Sequence, residues 1–169
     1  MNKNRQSALD TIDAITRSHR RVASGSLGDT HISILIRLNQ GLIMDWLNRH
    51  LAPFGVSNVC YFTMVMLHST PRNLANPSEL CRVTGETRGN MTRICDELVE
   101  KGLIQRITNA EDRRRVDLSL TDDGIALLRQ IVPTLRKDIA VVYKAFSEDE
   151  KSTLVSLLVK LNQAFHANP

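Results

Sequence analysis

The chain has 169 residues, of which 42% are hydrophobic and 24% are charged, and its formal net charge is +4. This balance is typical of one ordinary folded domain and excludes a disordered chain. One Trp, two Tyr and four Phe are too few for an RNA-binding module that stacks bases on clustered aromatic rings. No apolar run approaches the ~20 residues of a membrane helix, and no apolar segment follows the polar N-terminus. We therefore expect a soluble cytoplasmic protein with no membrane partner.

An N-terminal extension occupies residues 1–28, which are polar and precede the strongest pattern of the chain. Ala8, Ile12 and Ile15 recur at helical spacing and predict a short helix within it. The small residues of Ser24–Gly28 predict a loop after that helix.

A long amphipathic helix is predicted next, capped by Thr30 and ended by Pro53, and a further helix is predicted over Ser57–His68. The apolar side chains of the long helix follow the 3.6-residue period over roughly 30 Å, and they cover a wide arc that needs a partner surface. They are Ile32, Leu35, Ile36, Leu38, Leu42, Ile43, Trp46, Leu47 and Leu51.

A helix-turn-helix is predicted in the middle of the chain. Its first helix begins with a capping box at Asn76 and Glu79, and a tight turn at Gly85 follows it. Its second helix covers Thr87–Lys101, beginning at Thr87 itself or at Arg88. A short helix, a glycine turn and a longer helix are the arrangement that places one helix in the major groove of DNA.

The periodicity then changes from 3.6 to 2, which predicts two short strands, Leu103–Ile107 and Val116–Leu120. The polar segment between them forms a hairpin tip with three consecutive arginines, Arg113, Arg114 and Arg115. A hairpin needs only turn residues at its tip, so this cluster of like charge indicates a nearby anion.

Two more helices are predicted at the C-terminal end. Thr121 caps the first, and Pro133 should bend it. A capping box of Ser147 and Glu150 begins the second. Both carry apolar stripes, at Leu128, Ile131, Leu135, Ile139, Val142 and Phe146 and at Leu154, Leu157, Leu158, Leu161 and Phe165.

Together these elements predict a mainly α fold with a small β-hairpin wing, a winged helix-turn-helix with N- and C-terminal dimerisation helices. Residues 55–121 are predicted to form the DNA-binding domain, and residues 29–54 and 122–169 a helical dimerisation region. A two-fold dimer doubles the limited contact that one winged helix makes, across half-sites about one helical turn apart. A larger monomer core is the alternative use of the terminal helices.

The leading end of the second helix carries most residues predicted to contact DNA. Arg88 can bond O6 and N7 of guanine, and Asn90 can bond N6 and N7 of adenine. Threonine hydroxyl groups can bond phosphate, and the arginines of the tip suit phosphates or a narrow minor groove. Solvated charges on an amphipathic helix are the alternative, but they leave the arginine tip unexplained. The predicted set is Thr87, Arg88, Asn90, Met91, Thr92, Arg93, Arg113, Arg114 and Arg115.

Residues 77–124 resemble the MarR family, the multiple-antibiotic-resistance regulators, and are most similar to its EmrR-like members. The resemblance implies a homodimer that binds a palindromic operator in double-stranded DNA, with Asp112 pairing with Arg114 to hold the wing. The matching pieces are Pro77-Ser78-Glu79-Leu80, the run Thr87–Leu98, Glu100-Lys101-Gly102-Leu103-Ile104, and, most specifically, Asp112-Arg113-Arg114 followed by Leu120-Thr121 and Gly124.

The resemblance also implies an effector, a small aromatic carboxylate or a phenol, bound between the dimer helices and the DNA-binding lobe. The expected lining residues are Tyr61, Trp46, His31 and Met64, with Arg37 as the partner of the carboxylate. Tyr61 is the first choice because family members often place an aromatic residue there, although Trp46, Tyr61 and Met64 can equally be plain core. We expect a repressor, because a dimer that covers a promoter blocks polymerase without further contacts.

No motif of an enzyme or of a cofactor site occurs, and the five histidines are scattered, so neither catalysis nor a cofactor is expected. Two sensing alternatives keep the same fold. A metal sensor would use Cys60, His50 and His68, although no spacing supports it. A thiol-oxidation sensor would need an exposed cysteine with a low pKa, whereas Cys81 and Cys95 are predicted to be buried free thiols.

Overall fold

The computed structural model describes residues 3–22, 28–108 and 116–168. Helices dominate these ranges, with one small antiparallel sheet beside them. The described elements are α1 Lys3–Val22, α2 Gly28–Leu51, α3 Asn58–Ser69, β1 Leu74–Ala75, α4 Pro77–Thr84, α5 Arg88–Glu100, β2 Ile104–Thr108, β3 Val116–Leu120, α6 Asp122–Tyr143 and α7 Glu148–Ala167, with 3₁₀ turns at Ala52–Phe54 and Pro71–Asn73.

The core lies where α3, α4, α5 and the sheet meet the end of α2 and the first half of α6. Helix α5 shows how the pattern produces it, because its buried residues recur at positions i, i+3, i+4 and i+7. The other end of the core is closed by aliphatic side chains from α2, α3 and α6. The largest fully buried side chains are Leu51, Met64, Leu67, Leu80, Met91, Ile94, Leu98, Ile104, Leu118 and Ile131.

The predicted hairpin is confirmed, with β2 antiparallel to β3 and Ile104 opposite Leu120. A third strand, β1, pairs with the other edge of β3, so the order of the sheet is β1-β3-β2. The sequence did not predict β1, because Leu74–Ala75 is too short to show a period of two. The winged helix-turn-helix class is confirmed with this additional strand.

The predicted helix caps account for where α4, α6 and α7 begin. The backbone N–H of Glu79 donates to Asn76 Oδ1 at 2.9 Å, and the backbone N–H of Gly124 donates to Thr121 Oγ1 at 3.1 Å. Ser147 and Glu150 form the second capping box as predicted. Each cap satisfies backbone donors that have no partner within the helix.

Two boundaries of the first two helices differ from the prediction. Helix α1 is 20 residues long rather than short, Ile12 and Ile15 on it are half-buried, and α1 is in contact with α2. Helix α2 begins at Gly28, so Thr30 lies in its first turn and does not cap it. Helix α6 continues through Pro133, so the proline does not end it.

No helix in the described ranges is by itself long and apolar enough to cross a membrane. One pair, Gly28–Phe54 with Asn58–Ser69, reaches that length and composition only when it is joined across an 81° bend.

Candidate nucleic-acid interface

The leading end of α5 is fixed by the turn before it. Gly85 ends α4 with a φ of 74°, in the left-handed region that glycine adopts without strain. Thr87 then caps α5, its Oγ1 accepting the backbone N–H of Asn90 at 3.3 Å. With one face of α5 held in the core, the opposite face is directed outward, where Arg88, Thr92 and Arg93 are exposed.

A chain of three side chains spans this exposed face. Asn90 Nδ2 donates to Glu86 Oε2 at 2.5 Å, and Arg93 Nη2 donates to Asn90 Oδ1 at 3.1 Å. The sequence prediction included Asn90 and Arg93 but missed Glu86. The helical i, i+4 spacing rule could not have found it, because Glu86 lies two residues before the start of α5.

The remaining predicted side chains of this face differ in whether their hydrogen-bond donors are free to bind a ligand. The Arg88 guanidinium is exposed and has no hydrogen-bond or ion-pair partner among the described residues. The Thr87 hydroxyl acts as an acceptor in the cap, so its proton is free to be donated. Thr92 Oγ1 instead donates to the carbonyl oxygen of Arg88 at 3.0 Å, so its proton is engaged within α5.

Met91 does not belong to this face. Its side chain is 0% exposed and lies in the core with Ile94 and Leu98. The prediction that Met91 contacts DNA is therefore wrong: it was placed by its nearness to the helix start, whereas the three-residue step to Ile94 puts it on the buried stripe.

The far end of α5 carries acidic side chains that have basic partners. Asp96 pairs with Arg106 of β2, and Glu97 Oε1 accepts from Lys101 Nζ at 2.8 Å. This hydrogen bond holds the pKa of Glu97 below its usual value. The free positive charge of α5 is thus confined to its leading half, as insertion of that end into a groove requires.

The wing residues predicted to contact DNA, Arg113, Arg114 and Arg115, lie outside the described residues, and so does Asp112. The strands on either side of them are described: β2 ends at Thr108 and β3 begins at Val116.

The five side chains predicted for the effector do not converge. Met64 is fully buried in the core, Arg37 is exposed on α2, and Trp46 is half-buried with its ring stacked on His50 at a centroid distance of 4.0 Å. Tyr61 is half-buried on α3, and burial raises the pKa of its hydroxyl group.

His31 lies at the other end of α2. Its Nε2 is 2.7 Å from Thr16 Oγ1 of α1. Fifteen residues separate His31 from Trp46 on one helix, or roughly 22 Å at the rise of an α-helix. One protomer therefore cannot bring both side chains to a single small aromatic ligand.

The cysteines and histidines of the sensing alternatives make unrelated contacts. His50 Nε2 lies 4.0 Å from Asp138 Oδ2, and His68 Nδ1 is bonded to Asn73 Oδ1 at 2.9 Å. Among the described residues, no group of three or more His, Cys, Asp or Glu side chains could hold a metal ion. Burial raises the pKa of the Cys95 thiol to about 11, and Cys81, which is half-buried, is also a free thiol.

Comparison with known proteins agrees with this geometry. A model of the MarR family matches residues 54–115, which cover the helix-turn-helix and most of the wing. The transcriptional repressor MprA of Escherichia coli K12 is 32% identical over 122 residues, which are 72% of this chain and 69% of that relative. The chain belongs to the MarR family. It is a DNA-binding transcriptional regulator and not an enzyme.

Two further proteins extend the similarity over most of the chain. The HTH-type transcriptional regulator PrsX of Escherichia coli is 25% identical over 154 residues, which are 90% of this chain and 92% of that protein. The crystal structure of a mutant of MarR from E. coli, complexed with operator DNA, superposes with a TM-score of 0.72 at 27% identity. The match covers 82% of this chain and 99% of the MarR chain.

Proposed function

We propose that this MarR-family regulator is a homodimeric repressor that binds a palindromic operator and leaves it when a small aromatic carboxylate or phenol binds. The observation that carries the proposal is the leading end of α5, which keeps one face in the core and directs an unpartnered Arg88 guanidinium to solvent. Such a group can form two parallel hydrogen bonds to a guanine in the major groove.

The DNA-binding domain of the proposal is residues 55–121. Thr87, Arg88, Asn90, Thr92 and Arg93 supply the contacts of α5, and the wing adds its three arginines, with Asp112 holding Arg114. The E. coli MarR mutant in complex with operator DNA, which has the same fold, supports duplex DNA as the ligand. The repressor activity in the name of MprA supports the direction of control.

A dimer is proposed because the terminal helices leave their apolar faces uncovered in one protomer. Helix α7 buries no residue, and large apolar side chains are also exposed on α2 and on the second half of α6. Burying such surface is the main favourable contribution to association. Residues 29–54 and 122–169 therefore form the proposed dimerisation region. Its exposed members include Ile32, Leu42, Val141, Val142, Leu154, Val155, Leu157, Val159 and Phe165.

The effector site is proposed near the junction of α2 and α3, where Trp46 and Tyr61 are half-buried against the core. Both rings combine an apolar body with a polar group, which suits an aromatic acid or a phenol. A ligand at this junction releases DNA only if it binds more tightly to a conformer in which the two copies of α5 do not fit adjacent half-sites.

The experiment that tests the proposal is selection of bound duplexes from a random library, followed by sedimentation of the complex. We expect the selected site to be palindromic and to bind two protein chains. Aromatic carboxylates or phenols that raise the melting temperature of the protein should lower the affinity of the protein for that site. Selection of no common sequence, or one chain per site, would contradict it.

A further inference from the structure

Glu86 stands in an unusual place for a carboxylate. It lies two residues before α5, half-buried, beside the helix end that is proposed to enter the major groove. A negative charge there repels the phosphates of DNA, so a purely solvated role would weaken binding. Its carboxylate instead accepts a hydrogen bond of 2.5 Å from the side-chain amide of Asn90.

The amide of Asn90 is held from both sides. Glu86 takes a proton of Nδ2, and Arg93 donates to Oδ1 at 3.1 Å. These two partners fix which end of the amide is the nitrogen, because a carboxylate only accepts and a guanidinium only donates. They also place opposite charges on the two sides of a neutral group, so the chain of three carries no net charge.

The count of hydrogen-bonding positions shows what remains for DNA. A side-chain amide has two N–H donors and an oxygen with two lone pairs. After Glu86 and Arg93 are satisfied, Asn90 keeps one donor and one acceptor. Adenine presents one acceptor, N7, and one donor, the N6 amino group, in the major groove.

We propose that Glu86 is a specificity-determining positioning residue, which orients the amide of Asn90 so that its remaining donor and acceptor select adenine. The inference rests on the proposed contact between α5 and DNA. It adds the residue that sets the preference of α5 for adenine. Glu86 reaches no base itself. Its role is to fix the amide before DNA arrives, which lowers the entropy lost when both bonds to adenine form.

The capping of α5 does not explain the arrangement. Thr87 already accepts the backbone N–H that a cap must satisfy. The Glu86 side chain is bonded to the Asn90 side chain and not to the backbone of α5. A negative charge near a helix start is mildly stabilising, but that effect requires no particular side-chain partner.

The test compares the base preference of four variants with that of the native protein, by selection from a random duplex library and by titration of the selected site and its single-base changes. The variants are Glu86→Ala, Glu86→Gln, Asn90→Ala and the double variant of Glu86→Ala with Asn90→Ala. We expect Asn90→Ala to lose the preference for one adenine in each half-site, on the order of tenfold or more.

Glu86→Ala should lose most of the same preference at the same base pair, and the double variant should lose no more than Asn90→Ala alone. Glu86→Gln keeps an oxygen acceptor for the amide and should retain the preference. Removing the negative charge should also strengthen the binding of both Glu86 variants to all DNA sequences. In Glu86→Ala the overall affinity should therefore rise while the preference for adenine falls.

The inference would be overturned if Glu86→Ala changed the affinity for all sequences equally and kept the preference for adenine. It would also be overturned if Glu86→Ala lost a preference for cytosine, because Glu86 would then contact a base itself. Arg88→Ala distinguishes failure of the proposed DNA contact of α5 from failure of the role proposed for Glu86. If Arg88→Ala and Asn90→Ala both leave binding unchanged, the proposed DNA contact of α5 fails, and the inference fails with it.

Discussion

Lys101 Nζ donates a hydrogen bond of 2.6 Å to the carbonyl oxygen of Gly55, a residue 46 positions earlier in the chain. Lys101 follows the last residue of α5, and Gly55 lies in the turn between α2 and α3. The bond therefore connects the far end of the proposed reading helix to the point where the proposed dimerisation helix enters the DNA-binding domain.

Replacing Lys101 should loosen that connection. We expect Lys101→Met to lower the free energy of unfolding by about 1 kcal/mol, because it removes a charge-assisted hydrogen bond that is partly exposed to water. Chemical denaturation monitored by circular dichroism measures the change. Glu97→Gln is the matched control: it weakens the ion pair with Lys101 and leaves the bond to Gly55, so it should cost less. Equal losses in both variants would assign the effect to the ion pair.

Gly124 is required by a close approach rather than by its backbone angles. A Cβ at this position would lie 2.1 Å from the carbonyl oxygen of Leu103, which is the acceptor for the backbone N–H of Thr121. We expect Gly124→Ala to lower the free energy of unfolding by about 1–3 kcal/mol, since the start of α6 must move away from the sheet.

Gly89→Ala serves as the control for this substitution, because nothing lies within 4 Å of a Cβ at Gly89 and alanine favours a helix. It should leave the stability unchanged or raise it by up to about 1 kcal/mol. A Gly124→Ala protein as stable as the native one would show that this junction is not tightly packed.

The cysteines should react in the order of their exposure. At pH 8 the buried thiols of Cys60 and Cys95 should resist a thiol reagent in the folded protein, whereas Cys81, which is half-buried, should react first. Burial raises the pKa of the Cys95 thiol from 9.0 to about 11. Over the pH range between these values, Cys95 therefore keeps its proton in the folded protein and loses it in the unfolded chain. The folded state is therefore not penalised below pH 9, and it loses stability relative to the unfolded chain as the pH rises from 9.0 to about 11.

Mass spectrometry of the labelled protein, with quantification of each cysteine, checks the order. Rapid labelling of Cys95 at pH 8, without unfolding, would contradict the burial of this thiol and would favour the thiol-oxidation alternative.

Helix α7 should be necessary for self-association. Leu157 is 58% exposed in one protomer, within a helix that buries no residue. We expect Leu157→Asp to raise the dissociation constant of the dimer on the order of 100-fold, because a charge would be buried without a partner. Sedimentation equilibrium measures this constant. Ser156→Asp introduces the same charge at the neighbouring exposed position and should have a smaller effect. Identical effects of the two variants would place the interface elsewhere.

The parts of the fold that sequence reasoning predicted are those set by local chemistry. The capping residues Asn76, Thr121 and Ser147 predicted where three helices begin, because each side chain bonds a backbone group three positions away. The two-residue strand β1 has no local signal, since only pairing with β3 defines it. The bond between Glu86 and Asn90 has no local signal either, because Glu86 lies before the start of α5 and its position depends on the turn that precedes the helix.

The assignment of Met91 to the DNA contact was wrong because it followed nearness to the start of α5, whereas the helical step to Ile94 puts Met91 on the buried face. The contact between His31 and Thr16 could not be predicted from the sequence, because it depends on how α1 packs against α2.

The central claim, that the leading end of α5 binds duplex DNA in two copies, is tested most directly by the affinity of Arg88→Ala for the selected operator at one fixed salt concentration. We expect a loss of about 1–3 kcal/mol for that site, with a much smaller loss on unrelated duplexes. Arg136→Ala, an exposed arginine of α6 outside the DNA-binding domain, should bind as the native protein does. Unchanged affinity of Arg88→Ala for the operator, or an equal loss in both variants, would contradict the claim.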